Sequence, residues 1–186
     1  MGFTMARRRC LLVVDMLNDF VEPTGALYVG PQATSIVPRV RKLIDEFHHR
    51  GDAVIYICDE HDPDDREFER FPPHCMRGTP GADIVAELVP SEEDRVLKKR
   101  RYSGFFETPL DEILRDGRFG EVHVVGVCTS ICVMETVAGL ANRDIPTVVH
   151  ADAVADLTED DQFYALDRMQ RLFGVRLENA QVASER

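Results

Sequence analysis

Short apolar runs rich in β-branched residues alternate along this chain with segments of helical spacing. Six runs have the composition of buried strands and cover residues 10–14, 53–58, 96–99, 122–127, 147–150 and 175–177. Helical segments lie between them over 36–47, 84–88 and 110–115, and a last helix starts at Thr158 and directs Phe163, Leu166, Met169 and Leu172 inward. Since strands that alternate with helices form parallel sheets, the sequence predicts an α/β fold on a parallel sheet.

The length of 186 residues suits one domain with a full hydrophobic core and is short for two. We expect residues 10–186 to form this domain, and residues 1–9 to be a disordered N-terminal extension. No apolar run approaches the roughly 20 residues that cross a bilayer. The sequence therefore predicts a soluble protein that is not exported and has no membrane partner.

Charge and cysteine usage limit the partners and the compartment. The 33 acidic residues outnumber the 22 basic ones, which gives a formal net charge of −11. This charge disfavours nucleic acid and favours a small neutral or cationic substrate. The five cysteines are odd in number and lack the paired spacing of a secreted disulfide framework, so we expect a reducing, cytoplasmic location.

The stretch 121–133, EVHVVGVCTSICV, joins a strand to a helix through a turn of small residues. Its β-branched residues indicate a strand that is buried on both faces, and helical spacing begins after the turn. Cys132 is therefore predicted in the first helical turn, where free N–H groups and the helix dipole favour a thiolate and can hold an oxyanion. The alternative is a small apolar residue buried at a strand–helix junction.

Three other predicted strands end at polar residues that are useful in catalysis. Asp15, Asp59 and Lys99 stand at or just after the ends of the first three strands. Taken singly, Asp15 has an ordinary explanation as a turn cap, and Lys99 as a solvated charge in the run KKRR. Because the carboxyl ends of parallel strands meet at one edge, we expect all three residues to converge with Cys132 on one crevice.

Five motifs in order carry a resemblance to a known family: VVDMLNDF (13–20), DEH (59–61), FPPHCMRGTPGAD (71–83), KKRRYSGF (98–105) and GVCTSICV (126–133). The chain resembles the isochorismatase-like cysteine hydrolases and, within them, the nicotinamidases, also called pyrazinamidases. The resemblance covers nearly the whole chain. It implies a single three-layer α/β/α domain with a mostly parallel six-stranded sheet, and a homo-oligomer.

The resemblance implies a catalytic triad of Asp15, Lys99 and Cys132. Lys99 is preferred to Lys98 because it lies three residues before the tyrosine of YSGF, which is the spacing in the family. In the implied reaction, Cys132 attacks a carboxamide carbon while Asp15 accepts the thiol proton, and Asp15 then protonates the departing ammonia. Lys99 stabilises the thiolate and keeps Asp15 ionised.

The family also implies an oxyanion hole formed by the backbone N–H groups of Cys128 and Cys132. The peptide bond between Val127 and Cys128 is expected to be cis. Water then hydrolyses the thioester, with Asp15 as the base. The products of this reaction from nicotinamide are nicotinate and ammonia, which implies a place in NAD salvage.

A metal site is implied by the match of Asp59, His61 and His74 to the family's ligands. Glu67 occupies the place where some relatives offer a fourth ligand. One carboxylate and two imidazoles suit zinc best, with iron or manganese as alternatives. The ion is expected to bind the pyridine nitrogen of the substrate, while Phe20 and Phe71 match the aromatic residues that enclose the ring.

Other interpretations stay open at this point. The loop DEHDPDD on its own also suits a solvated acidic surface, and two histidines with a carboxylate also suit an oxygenase iron site, although those folds are β-sandwiches. Ser130 stands where the family usually has aspartate, so the substrate could be another small amide or a vinyl ether. A thiol redox or metal-storage role of Cys128 and Cys132 is disfavoured by their three-residue spacing.

Overall fold

The computed structural model of the protein describes residues 8–180. The six strands are β1 (Arg9–Val14), β2 (Ala53–Asp59), β3 (Arg95–Lys99), β4 (Glu121–Val127), β5 (Thr147–Ala155) and β6 (Arg176–Glu178). The five α-helices are α1 (Asn18–Val21), α2 (Pro31–His49), α3 (Leu110–Gly117), α4 (Met134–Ala141) and α5 (Glu159–Phe173). A π-helical turn, Thr129–Val133, leads into α4.

The strands form one sheet in the order β3-β2-β1-β4-β5-β6, and every neighbouring pair is parallel. One face of the sheet packs against α2, and the other face packs against α3, α4 and α5. This arrangement confirms the predicted three-layer α/β fold, and the sheet is parallel throughout. Among residues 8–180, no helix is long and apolar enough to cross a membrane.

Burial on both faces explains why β1 is apolar at nearly every position. Leu11 and Val13 point to the core under α2, whereas Cys10, Leu12 and Val14 point to the opposite core. All five side chains are at most 1% exposed. Such continuous apolar runs are typical of central strands in parallel sheets, which helices cover on both faces.

Several boundaries differ from the prediction. β5 continues to Ala155, through residues predicted as a loop, because its second half pairs with β4 beyond an irregularity at Val124 and Gly126. The predicted helix over 84–88 is only a short 3₁₀ turn, Ala86–Leu88. Arg9 already belongs to β1, and residues 1–7 of the predicted extension lie outside the described residues.

The inward face of α5 also differs from the prediction. Its start at Thr158 is confirmed, because the Thr158 hydroxyl accepts the N–H of Asp161. However, the buried residues of α5 are Ala165 and Met169, whereas Phe163 and Leu172 are exposed. A three-residue spacing drifts by about 60° around a helix at each step, so four such positions cannot share one face.

Gly126 lies where β4 approaches β1 too closely for a side chain. Its φ is +119°, and a Cβ at this position would lie 1.9 Å from the carbonyl oxygen of Val14. Gly126→Ala should therefore lower the free energy of unfolding by about 3–5 kcal/mol, through backbone strain and steric overlap. Urea denaturation monitored by circular dichroism measures this loss.

Gly51→Ala is the matched control, since Gly51 also has a positive φ, +70°, but among residues 8–180 no atom other than those of Gly51 and its chain neighbours lies within 4 Å of the added Cβ. It should cost only about 1 kcal/mol. Equal losses of unfolding free energy in the two variants would show that overlap of the added Cβ with Val14 does not contribute to the loss in Gly126→Ala.

Candidate active site

The polar residues predicted at the strand ends meet at one edge of the sheet. Asp15 directly follows β1, Asp59 and Lys99 are the last residues of β2 and β3, and Cys132 lies in the π-helical turn after β4. Asp59 and Lys99 are partners in the strand register. Asp15 leaves β1 with a φ of +51°, a left-handed conformation that aspartate tolerates better than most residues. The parallel topology thus brings these side chains together.

Lys99 joins the other three side chains. Its Nζ lies 2.8 Å from Asp15 Oδ2, pairs with Asp59 Oδ1, and lies 3.5 Å from Cys132 Sγ. The Lys99 side chain is fully buried, whereas Lys98 is 41% exposed and pairs with Glu60 at the surface. Burial works to lower the pKa of Lys99, but Asp15 and Asp59 hold this pKa well above its usual range. The lysine is therefore a fixed positive charge.

Asp15 is buried in contact with Asp59 and Lys99. Its Oδ1 accepts the backbone N–H of Asp59 at 2.8 Å, and Oδ2 contacts Lys99. Burial and the nearby Asp59 raise the pKa of Asp15 to about 6, while Lys99 opposes this rise. A carboxylate with a pKa close to neutrality can both accept a proton and return it at physiological pH.

Cys132 is 6% exposed. Burial raises the pKa of its thiol well above the usual range, and the Lys99 ammonium opposes this effect. The helical turn that was expected to favour a thiolate is therefore outweighed by burial. Burial therefore favours the protonated thiol in the resting protein.

The turn before Cys132 contains a cis peptide bond and two backbone hydrogen bonds to one carbonyl. The Val127–Cys128 peptide bond is cis, as the resemblance implies. The Cys128 carbonyl accepts the N–H groups of Ile131 and Val133, each at 3.1 Å. The oxyanion role of the Cys128 and Cys132 N–H groups stays a prediction.

Asp156 contacts this turn, and the sequence did not predict that contact. It is 2% exposed and follows β5, and its Oδ2 accepts the N–H of Ser130 at 2.5 Å. A carboxylate is thus present beside the turn although Ser130 replaces the aspartate usual in the family. The absence of a carboxylate at Ser130 was visible in the sequence, but it did not indicate which other residue would place a carboxylate beside the turn.

A second group of polar side chains borders the same crevice. Asp59, His61, Glu67 and His74 each offer one ligand atom, and these atoms lie within 4.8 Å of one another. All four residues are at most 2% exposed. Within residues 8–180, His61 Nε2 and Glu67 Oε2 are buried without a hydrogen-bond partner. Unpaired polar atoms in a protein interior cost free energy, and a bound metal ion would pair with these two. The donor set fits zinc or a similar divalent transition-metal ion.

The two imidazoles are oriented through their other nitrogens. His74 Nδ1 donates to the Pro72 carbonyl oxygen at 2.7 Å, and His61 Nδ1 lies 3.1 Å from Asp65 Oδ2. Arg101 in turn holds Asp65 at 2.9 Å. Such contacts fix the ring orientation at metal sites and leave Nε2 available as a ligand. Asp65 and Arg101 were not predicted, because nothing in a run of loop charges distinguishes them.

The crevice is a largely apolar pocket of about 430 Å³, including its mouth. Phe20 and Phe71, the predicted ring-binding residues, both line it, and so do Tyr102 and Leu157, which were not predicted. The Phe20 and Phe71 rings lie 5.4 and 6.3 Å from the His74 ring. Asp15, Cys132 and three of the four metal-site residues line the same pocket. A small, flat molecule held there would face both groups.

Several solved structures have the same fold. Nicotinamidase/pyrazinamidase PncA from Bacillus subtilis has a TM-score of 0.88 at 32% identity, covering 92% of this chain and 100% of that one. Pyrazinamidase of Pyrococcus horikoshii in complex with zinc has a TM-score of 0.86 at 31% identity, with 93% and 99% covered. N-carbamoylsarcosine amidase from Thermoplasma acidophilum has a TM-score of 0.85 at 35% identity, with 95% and 99% covered.

Sequence comparison agrees with the structures. The chain is 35% identical to an uncharacterized isochorismatase family protein, PncA of Bacillus subtilis, over 91% of this chain and 98% of the relative. It is 36% identical to an Arabidopsis thaliana protein named as a probable inactive nicotinamidase, over 83% and 84%. The family model for the isochorismatase domain matches residues 9–181. The chain therefore belongs to the isochorismatase family of hydrolases.

Proposed function

We propose that this protein is a nicotinamidase, which converts nicotinamide and water to nicotinate and ammonia through a thioester on Cys132. One observation carries the proposal: Asp15 and Cys132, which Lys99 joins, line the same small apolar pocket as three residues of the metal cluster, Asp59, Glu67 and His74. The pocket suits an aromatic ring, and the two groups suit the two ends of an aromatic amide.

In the proposed reaction, Asp15 takes the proton from Cys132 Sγ as the sulfur bonds to the amide carbon. Lys99, 3.5 Å from the sulfur, stabilises the charge that develops there. The N–H groups of Cys128 and Cys132 hold the oxyanion. As the C–N bond breaks, Asp15 returns the proton to the leaving ammonia. Asp15 then takes a proton from the water that attacks the thioester, and the thiol is restored when nicotinate leaves.

Asp59, His61, Glu67 and His74 would hold the metal ion, for which zinc is the best match and iron or manganese are alternatives. When bound, the ion supplies a Lewis-acid contact for the ring nitrogen of the substrate. Phe20 and Phe71 pack against the ring and exclude water. Together these contacts would deliver the amide carbon to Cys132 already aligned, which is worth several kcal/mol.

The biological setting that we propose follows from the product. Nicotinate is a precursor in NAD salvage, so the reaction is placed in that route and in the cytoplasm. A homo-oligomer stays our prediction for the assembly, and light scattering of the purified protein would test it. The candidate pocket itself is built within one chain.

Benzamide tests the proposed role of the metal cluster, because it keeps the carboxamide and the ring shape but lacks the ring nitrogen. We expect kcat/KM for benzamide to be lower than for nicotinamide by about 100-fold or more, since a buried site built for a polar group rejects an analogue without it. Ammonia release by the zinc-loaded protein measures both values.

His74→Ala is the control for this comparison. The variant should lose most activity on nicotinamide and most of the preference over benzamide, while iodoacetamide still alkylates Cys132. Similar efficiency of the zinc-loaded parent protein on both amides would exclude the ring-reading role.

A second candidate function keeps the same cysteine chemistry but uses another small amide or a vinyl ether. Ser130 favours this candidate, because the family usually has an aspartate at this position of the turn. Here the N–H of Ser130 donates to Asp156, which lies outside the turn. The similarity to an N-carbamoylsarcosine amidase also supports it. A panel of small amides, assayed for ammonia release, distinguishes the two candidates by the highest kcat/KM.

A further inference from the structure

A second cluster of buried histidines lies away from the candidate active site. His123 is the third residue of β4, near its amino end, whereas Cys132 follows the carboxyl end of that strand. His123 and His150 of β5 are 4% and 2% exposed. The Phe47 ring of α2 packs edge-on against His123, with 5.1 Å between the centroids. The proposed amidase reaction uses neither histidine.

The two rings belong to a closed loop of polar contacts with three charged residues. His123 Nδ1 and His150 Nε2 face each other at 2.9 Å. The outer nitrogens each face a carboxylate: His123 Nε2 lies 2.9 Å from Glu121 Oε1, and His150 Nδ1 lies 3.5 Å from Glu178 Oε2. Arg176 closes the loop, because its guanidinium contacts the second oxygen of Glu121 at 3.0 Å and that of Glu178.

This loop is short of one proton. Two neutral imidazoles carry two N–H groups, but three contacts need a proton: Glu121 with His123, His123 with His150, and His150 with Glu178. One contact must therefore place a nitrogen lone pair against another acceptor. In agreement, His150 Nδ1 is buried without a hydrogen-bond partner among the described residues. Within the loop, the two carboxylates share the guanidinium of Arg176, so one further positive charge would make the loop neutral.

We propose that His123 and His150 bind a divalent transition-metal ion, of which zinc is the best match, through the two ring nitrogens that face each other. In a tetrahedral zinc site, bonds of about 2.0–2.1 Å place ligand nitrogens roughly 3.3 Å apart. From 2.9 Å, with the ring planes inclined by 26°, the rings would need to separate by a few tenths of an ångström and to turn so that both lone pairs point to the ion. One oxygen of Glu178 also lies within 4.8 Å of a nitrogen of each ring, within reach as a further ligand.

The metal-bound form satisfies every nitrogen in the loop. With the ion between the rings, His123 donates its outer N–H to Glu121, and His150 donates its outer N–H to Glu178. Ligating histidines in proteins commonly donate to a carboxylate in this way. Burial lowers the pKa of both rings. The ion would tie the edge strand β6 to β4 and β5.

Metal content tests this site without any assay of activity. The double variant His61→Ala/His74→Ala removes two ligands of the cluster at the crevice. After equilibration with zinc and gel filtration, we expect this variant to retain one zinc ion per chain and to unfold at a higher temperature than its zinc-free form. Cobalt should give the visible bands of a nitrogen and oxygen site, without the charge-transfer band of a thiolate, which excludes the cysteines.

Two further substitutions in this background complete the experiment. His150→Gln should abolish zinc retention, and Glu178→Gln, at a partly exposed position, should weaken zinc affinity by about 10–100-fold while the fold is unchanged. If His150→Gln does not fold, Glu178→Gln decides. Absence of retained zinc in the double variant, or zinc retention that neither substitution changes, would overturn the proposal. Nicotinamide hydrolysis by the parent protein is measured separately and does not depend on this result.

Discussion

Cys132→Ala is expected to reduce ammonia release from nicotinamide by at least about four powers of ten, because the variant cannot form the thioester. The substitution removes one sulfur atom from a buried position and no backbone contact, so the fold and the metal content should not change. Circular dichroism, zinc analysis and a steady-state assay measure these three quantities. Residual activity within about tenfold of the parent would exclude Cys132 as the nucleophile.

Cys10→Ala is the matched control for this variant. Cys10 is a fully buried cysteine near the amino end of β1, whereas Asp15 follows the carboxyl end of that strand. The activity of the Cys10→Ala variant should remain close to that of the parent even if its stability falls. A comparable loss in both variants would mean that the assay reports damage to the core, and not the chemistry of Cys132.

Asp15→Asn is expected to lower kcat by at least about three powers of ten. The amide has nearly the same shape as the carboxylate, and Lys99 keeps its ion pair with Asp59, so the protein should fold. The variant has no group that can take the thiol proton during attack or return it to ammonia. Rapid-quench assays with nicotinamide measure the loss.

Alkylation separates this role from a purely structural one. The negative charge of Asp15 contributes to the raised pKa of Cys132. Loss of this charge in Asp15→Asn should lower the thiol pKa, so at a pH high enough to ionise the thiol without a base the variant should be alkylated by iodoacetamide at least as fast as the parent, although hydrolysis is lost. If alkylation at that pH falls together with hydrolysis, Asp15 positions the thiol and is not the base.

The sequence predicted the architecture because strands and helices are indicated by local patterns of apolar residues. β1, β2 and β4 are apolar at nearly every position, and their predicted limits agree with the structure to within one residue. In a parallel sheet, the residues that follow these strands have to meet at one edge. The convergence of Asp15, Asp59 and Lys99 with Cys132 could therefore be predicted from strand ends alone.

What the sequence could not predict depends on contacts between distant segments. Asp156 reaches Ser130 across 26 residues, and Arg101 reaches Asp65 across 36. Each is an ordinary charged residue in its own segment, with no periodicity that indicates its partner. The facing pair of His123 and His150 could not be predicted for the same reason, since each histidine stands between apolar neighbours in its own strand and 27 residues separate the two.

The protonation state of Cys132 also could not be predicted from its local sequence. A position in a helical turn and a nearby lysine both favour the thiolate, and both are visible as patterns. The depth of burial depends on the whole fold, and here it raises the pKa of the thiol. In the proposed reaction, transfer of the proton to Asp15 is therefore part of the attack.

Ammonia release from nicotinamide by the folded, zinc-loaded protein tests the central claim most directly. We predict turnover with a kcat/KM in the ordinary enzymatic range, about 10⁴–10⁸ M⁻¹ s⁻¹, and loss of that turnover when zinc is removed by chelation. If the zinc-loaded protein releases no ammonia from nicotinamide above the spontaneous rate, the proposed function is contradicted.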